Sequence, residues 1–240
     1  MSGRVHRVLV QPLTEGRLEL LGPEAHHLAN VLRVKPGEAV EAFDGDGRVA
    51  TGAVVGVARQ SVTLSLGEPS QSATEAPLQV TVAVALLKSD NLSDVVRQCT
   101  ELGAVRFVLL STQHADVGSL SPARLLRLRR VAEEAARQSG RATVPPVSEP
   151  LALSELDWQG VGLVAHPEAT NSLTAALAAG GSSAAGAITV ITGPEGGFSQ
   201  GEVAGLVQRG AHAVRFGPRI LRAETAPVAL TAALLLPAGA

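Results

Sequence analysis

The chain has 240 residues, 45% of them hydrophobic and 18% charged, with a formal net charge of −2. That composition excludes a disordered polypeptide and supports a packed core in one large domain or two modest ones. No apolar run approaches the roughly 20 residues needed to cross a bilayer, and the single cysteine, Cys99, excludes an intramolecular disulfide and a thiolate metal cluster.

The opening segment, MSGRVHRVLVQP, carries basic residues but neither the apolar core nor the cleavage site of a secretory leader, so a cytoplasmic location is expected. Aromatics are scarce, with four Phe, one Trp and no Tyr, which argues against an aromatic base-stacking platform. The cationic residues are nearly all arginine, Lys35 and Lys88 being the only lysines. Arginine's planar fork suits phosphates and base edges, although a coding bias toward arginine produces the same composition.

Up to residue 70 the chain shows short alternating runs, RVLVQP, LELLG, EAVEAFDGDGRVATGAVVGVA and SVTLSL, which predict strands. Asp44-Gly45 and Asp46-Gly47 predict a hairpin turn between two of them. One helix interrupts the strands, opened by Pro23 and running through His26, His27, Leu28, Val31 and Leu32. Residues 1–70 therefore read as a small β-barrel, and the small, polar residues at 71–77 as a linker.

Over 78–240 strands and helices alternate. LQVTVAVALL is followed by a helix from Asn91 to Leu102 and the strand AVRFVLLS. A longer helix follows Ser121-Pro122. After the VPPV turn come strand 161–165, a helix from Ser172 to Ala179, strand 187–192, a helix from Ser199 to Gln208, strand 213–216 and a last helix after Pro227. Helices between nearly all-apolar strands predict a parallel sheet covered on both faces. Ligands of such sheets bind at the carboxyl ends of the strands.

Two loops at such ends carry chemistry. ITGPEGGFSQGE (191–202) places Gly193, Gly196 and Gly197 after a buried strand and ends with Ser199 and Glu202 in capping-box spacing. It matches neither a phosphate loop nor a dinucleotide fingerprint; it serves either as a tight turn or as a close backbone approach to a ligand. FGPRILRAETAPVAL (216–230) follows the next strand and holds Arg219, Arg222 and Glu224 in a short irregular segment. Arg222 and Glu224 there form either an ordinary surface pair or part of a site.

GPEGGFSQGE followed by ILRAETA resembles the RsmE family of small-subunit ribosomal RNA uridine-N3 methyltransferases, in the SPOUT superfamily. HHLANVLRVKPGE (26–38), ELG (101–103) and EAARQSGR (134–141) resemble further blocks of that family in the same order. The chain departs from the family pattern at Leu9, Arg97 to Cys99 and Leu126 to Leu128, outside the two loops.

The resemblance implies a SPOUT-type α/β parallel sheet tied in a deep trefoil knot, preceded by a PUA-like RNA-binding barrel, and a homodimer. It implies S-adenosylmethionine as cofactor, 16S ribosomal RNA or the small ribosomal subunit as partner, and no metal. Carried onto this chain, the cofactor loops comprise Ala165, His166 and Pro167; Thr192, Gly193, Gly196 and Gly197; and Phe216, Gly217, Ile220, Leu221, Ala223, Thr225 and Ala226. Adenine needs an apolar slot with a few polar partners, which Ile220, Leu221 and Ala223 are suited to supply. Arg222 is the expected catalytic cation, with Glu224 either orienting it or taking the N3 proton.

Six arginines fall between Arg124 and Arg141. At about 100° per residue, Arg127, Arg130, Arg137 and Arg141 share a stripe opposite Leu128, Val131 and Ala135. The stripe meets RNA phosphates or is a solvated face diluted by Glu133 and Glu134. Arg7 and Arg33 in the barrel are further RNA candidates. His26 and His27 are adjacent, point apart on a helix and have no third ligand near, so no metal is expected. Glu195 fits as a loop cap, and Cys99 as a small core residue. Two other readings share these features: a SPOUT methyltransferase acting on another ribosomal or transfer RNA site, and a non-catalytic RNA-binding protein.

Overall fold

The computed structural model describes residues 5–88, 90–179 and 186–236; the outer ends of both expected domains, 1–4 and 237–240, lie outside them. The chain divides into two compact units, Met1–Glu75 with Ala136–Val144, and Ala76–Ala135 with Pro145–Ala240.

In the first unit, alternation of apolar and polar residues builds strands β1 (His6–Leu9), β2 (Gly16–Leu21), β3 (Ala39–Phe43), β4 (Arg48–Val57), β5 (Ser61–Leu66) and β6 (Ser70–Gln71). They form one sheet in the order β1-β3-β4-β5-β2, with β6 on β4. Only β1 and β3 pair in parallel. On β5 the residues Val62, Leu64 and Leu66 are buried, as a period of two requires. The predicted β3–β4 hairpin is held by Asp44, whose Oδ1 accepts the Asp46 and Arg48 N–H groups at 2.8 and 3.0 Å.

The helix expected after Pro23 is not uniform. Helix α1 (Gly22–His26) widens into a π-helical turn over His27–Leu32 and ends at Arg33, which has a left-handed φ of 56°. The wider turn keeps Ala25 and Leu28 in the core and turns Val31 outward, 61% exposed. The predicted linker is also partly built in. Gln71 is in β6, and Glu75 pairs with the buried Arg141 at 2.6 Å.

The second unit runs β7 (Gln79–Ala85), α2 (Asn91–Leu102), β8 (Arg106–Ser111), α3 (Pro122–Ser139), β9 (Leu151–Ala152), β10 (Val161–Ala165), α4 (Leu173–Ala179), β11 (Ala187–Thr192), α5 (Gln200–Gln208), β12 (His212–Val214) and α6 (Thr225–Leu235). Its sheet has the order β12-β10-β11-β7-β8-β9, and every pairing is parallel. Alternate strand residues serve two cores. Val82, Val84 and Leu163 meet Leu92, Val96 and Leu234 on one face; Ala83, Val164 and Ile191 meet Leu156, Phe198 and Leu206 on the other. Among the described residues no helix is long and apolar enough to cross a membrane.

The last turn of α3 and the segment after it, 136–144, belong to the first unit, whereas periodicity placed them with the α/β sheet. Ion pairs explain the difference. Arg137 meets Glu24 at 2.6 Å, and Arg7 donates to the Ala136 and Arg137 carbonyls at 3.2 Å.

Candidate functional site

Because β10, β11 and β12 are parallel neighbours, their carboxyl ends lie along one sheet edge. The loops leaving them surround a cavity of about 820 Å³. Its walls take Ala165, His166 and Pro167 from the first loop and Thr192, Gly193, Gly196 and Gly197 from the second. The third contributes Phe216, Ile220, Leu221, Arg222, Ala223, Glu224 and Ala226. Gly217 and Thr225 stand in the same segment without lining the cavity. The lining also includes Asn91, Phe198, Val214 and Leu230, which motif reading does not single out. Phe198 follows Gly197 directly and was discoverable as the motif's apolar residue. Asn91 comes from the start of α2, and only the strand order brings it to this edge.

The second loop is tight for steric reasons. A Cβ on Gly196 would stand 3.0 Å from the His114 carbonyl oxygen, and Gly197 has a φ of +71°. The loop feeds α5, whose capping box is formed: Ser199 Oγ accepts the Glu202 N–H at 3.3 Å, and Glu202 Oε2 accepts the Ser199 N–H at 2.8 Å. Glu195 ties the loop sideways, its Oε1 accepting the Lys88 N–H at 3.1 Å.

The cavity offers both apolar and polar surface. Leu221 and Ala223 are half-buried, whereas Ile220 is 81% exposed and does not close the expected apolar slot. Thr192 Oγ1 is buried in the wall with no hydrogen-bond partner in the described protein. An orphaned hydroxyl of this kind is costly unless a ligand satisfies it. The Arg222 guanidinium is 86% exposed and only loosely held by Glu224, at 3.8 Å. No group of three or more His, Cys, Asp or Glu suited to a metal occurs among the described residues. His26 Nδ1 instead meets the Asn30 side chain at 3.1 Å.

The arginines expected to meet RNA divide. Arg127 is exposed, in a pair with the exposed Asp90 at 2.9 Å, and Arg130 is exposed. Arg33 is exposed beyond the π-helical turn. Arg7, Arg137 and Arg141 are structural. Arg7 pairs with Glu41 at 2.8 Å and lies over the Phe43 ring; Arg137 is 12% exposed against Glu24; Arg141 is 4% exposed against Glu75. The four-arginine stripe fails because α3 ends at Ser139, so helical spacing does not extend to Arg141.

Residues 74–235 match the family model of an RNA methyltransferase domain, and residues 20–67 that of an RNA methyltransferase PUA domain. The chain is 34% identical over 232 residues to the Ribosomal RNA small subunit methyltransferase E of Synechocystis, covering 92% of this chain and 74% of that one. It is 30% identical to the protein of that name from Bacillus subtilis, over 87% of this chain and 86% of the relative. Among solved structures, a Ribosomal RNA small subunit methyltransferase E from Neisseria gonorrhoeae bound to S-adenosyl methionine superposes with a TM-score of 0.87. That protein is 28% identical over 98% of each chain.

Proposed function

The chain belongs to the ribosomal RNA small subunit methyltransferase E family, and we propose that it methylates N3 of a uridine in 16S ribosomal RNA with S-adenosylmethionine. The observation that carries this reading is the cavity at the ends of β10, β11 and β12, lined by both the glycine loop and Arg222.

The residues present fit the cofactor. Thr192 Oγ1 supplies a buried polar group awaiting a partner, Leu221 and Ala223 supply apolar wall, and the glycine loop permits close backbone approach. S-adenosylmethionine supplies an electrophilic methyl group on a sulfonium. The protein's own contribution is positioning and charge. Uridine N3 becomes a nucleophile only when its proton leaves, and negative charge then spreads to the ring's carbonyl oxygens. Arg222 stabilises that charge with its guanidinium. Glu224, whose carboxylate lies 3.8 Å from the guanidinium, either orients it or accepts the N3 proton.

The same reading gives the second unit a deep trefoil knot, in support of which β11 lies between β10 and β7 and Leu230 and Leu234 of α6 pack in one core with Leu92 and Val96 of α2. It makes the enzyme a cytoplasmic homodimer and residues 1–70 a PUA-like RNA-binding module, and it gives Arg127, Arg130 and Arg33 phosphate contacts.

Purified protein, S-adenosylmethionine and small ribosomal subunits or free 16S RNA form the direct assay, read by nucleoside mass spectrometry. New 3-methyluridine is expected. Methylation at another atom, or none on either substrate, overturns the proposal.

A further inference from the structure

Residues 112–116, after β8, lie outside the three loops that line the cavity, yet they hold the glycine loop from its outer side. Glu202 Oε1 accepts the Gln113 N–H at 2.8 Å. Gly196 approaches His114 so closely that a Cβ there would stand 3.0 Å from both its carbonyl oxygen and its Cβ. Asp116 holds Lys88 Nζ at 2.6 Å, and the Lys88 N–H donates to Glu195 Oε1 at 3.1 Å.

Glu202 is the centre of this arrangement because its two oxygens do different work. Oε2 closes the cap of α5, accepting from Ser199 N–H at 2.8 Å and Ser199 Oγ at 3.1 Å. A capping box needs nothing further from that side chain. The bond from Gln113 to Oε1 is additional, and it joins the end of the glycine loop to the loop after β8. Hydrogen bonds to an ionised carboxylate are short and strong, so this one restrains both loops. Glu202 itself does not line the cavity.

We infer that Glu202 is a positioning residue for the methyl-donor site, setting the approach of the glycine loop through its bond to Gln113. The inference rests on the methyltransferase reading above. S-adenosylmethionine binding by calorimetry, initial rates against cofactor concentration, and thermal unfolding test it together on the full chain. Glu202→Ala is expected to raise both Kd and KM about tenfold, the scale of one charge-assisted hydrogen bond. Turnover at saturating cofactor should stay within about threefold. Glu202→Gln keeps one acceptor oxygen where Glu202 uses two, so it should recover only part of the loss.

Ser199→Ala weakens the cap and spares the Gln113 bond, so it should lower thermal stability while raising Kd no more than about threefold. Should Glu202→Ala fail to fold, Gln113→Pro removes the donated N–H, while also fixing φ there and restricting Thr112, and is expected to give the same KM shift. Wild-type Kd in Glu202→Ala or Gln113→Pro, or a Ser199→Ala loss equal to that of Glu202→Ala, overturns the inference. Absence of S-adenosylmethionine binding by the wild-type chain overturns the methyltransferase reading, and the inference with it.

Discussion

Arg222 stands at the cavity with its guanidinium in water and one carboxylate 3.8 Å away, an arrangement that adds little to stability. An exposed cation of this kind is useful when a substrate covers it, because exclusion of water strengthens its field. Arg222→Ala is therefore expected to lower single-turnover methylation by about a hundredfold, the scale for one preorganised electrostatic donor, while S-adenosylmethionine affinity changes only a few-fold. A normal single-turnover rate at saturating RNA would assign Arg222 to RNA docking instead. Cys99 is the opposite case. Burial between α2 and α6 pushes its thiol from 9.0 up to about 12, against a weaker downward pull from the Thr231 hydroxyl. The folded thiol stays protonated at neutral pH and should resist a disulfide reagent until the protein is unfolded in denaturant. Its folded value lies above its unfolded one, so the associated stability is present below about pH 9 and is lost as pH rises toward 12. Reaction of the native protein at neutral pH, at the rate of a free thiol, contradicts this.

At the scale of elements, the strands and helices of the second unit were readable because their signals are local. Strands 161–165 and 187–192 are nearly all-apolar runs with the bounds expected, and Ser199 with Glu202 marked the start of α5. The two-residue strands β6 and β9 gave no signal, since two residues carry no period. The widening of α1 into a π turn likewise has no counterpart in an apolar stripe that fits either helix. Long-range pairing is where composition and spacing mislead. Arg127 and Arg137 look alike on a helical wheel, but Glu24 lies 113 residues from Arg137 and buries it. Of the expected stripe, Arg127 and Arg130 alone stay accessible on α3. Neutralising both should reduce the log–log salt dependence of RNA binding by about two units, one per released counterion, with cofactor affinity unchanged. An unaltered slope returns them to the solvated face of the helix.

At the scale of the whole molecule, 136–144 is the segment whose membership separates a spacing-based division from the folded one. With Arg137 and Arg7, Arg141 is one of the residues that fix it. Its Nη2 donates to Glu75 Oε2 at 2.6 Å, and its Nε lies 3.2 and 3.3 Å from the two carboxylate oxygens. The guanidinium is 4% exposed and the carboxylate 25%, so the two ends of the pair differ in what their loss exposes. Removing Glu75 takes a carboxylate partner from a buried cation; removing Arg141 leaves a carboxylate that water can reach. Glu75→Ala is therefore expected to destabilise the protein by about 3 kcal/mol or more, the scale for breaking a buried pair, and Arg141→Met by less. The double variant should be more stable than the sum of the single losses predicts, because no buried charge is then left behind. Two compact units make a single unfolding free energy ambiguous, so hydrogen exchange is the decisive measurement. Loss of protection should concentrate in 5–75 and 136–144, with the strands of the second unit keeping theirs. Additive effects, or equal loss of protection in β10 and β11, would show that 136–144 owes its place to something other than this pair.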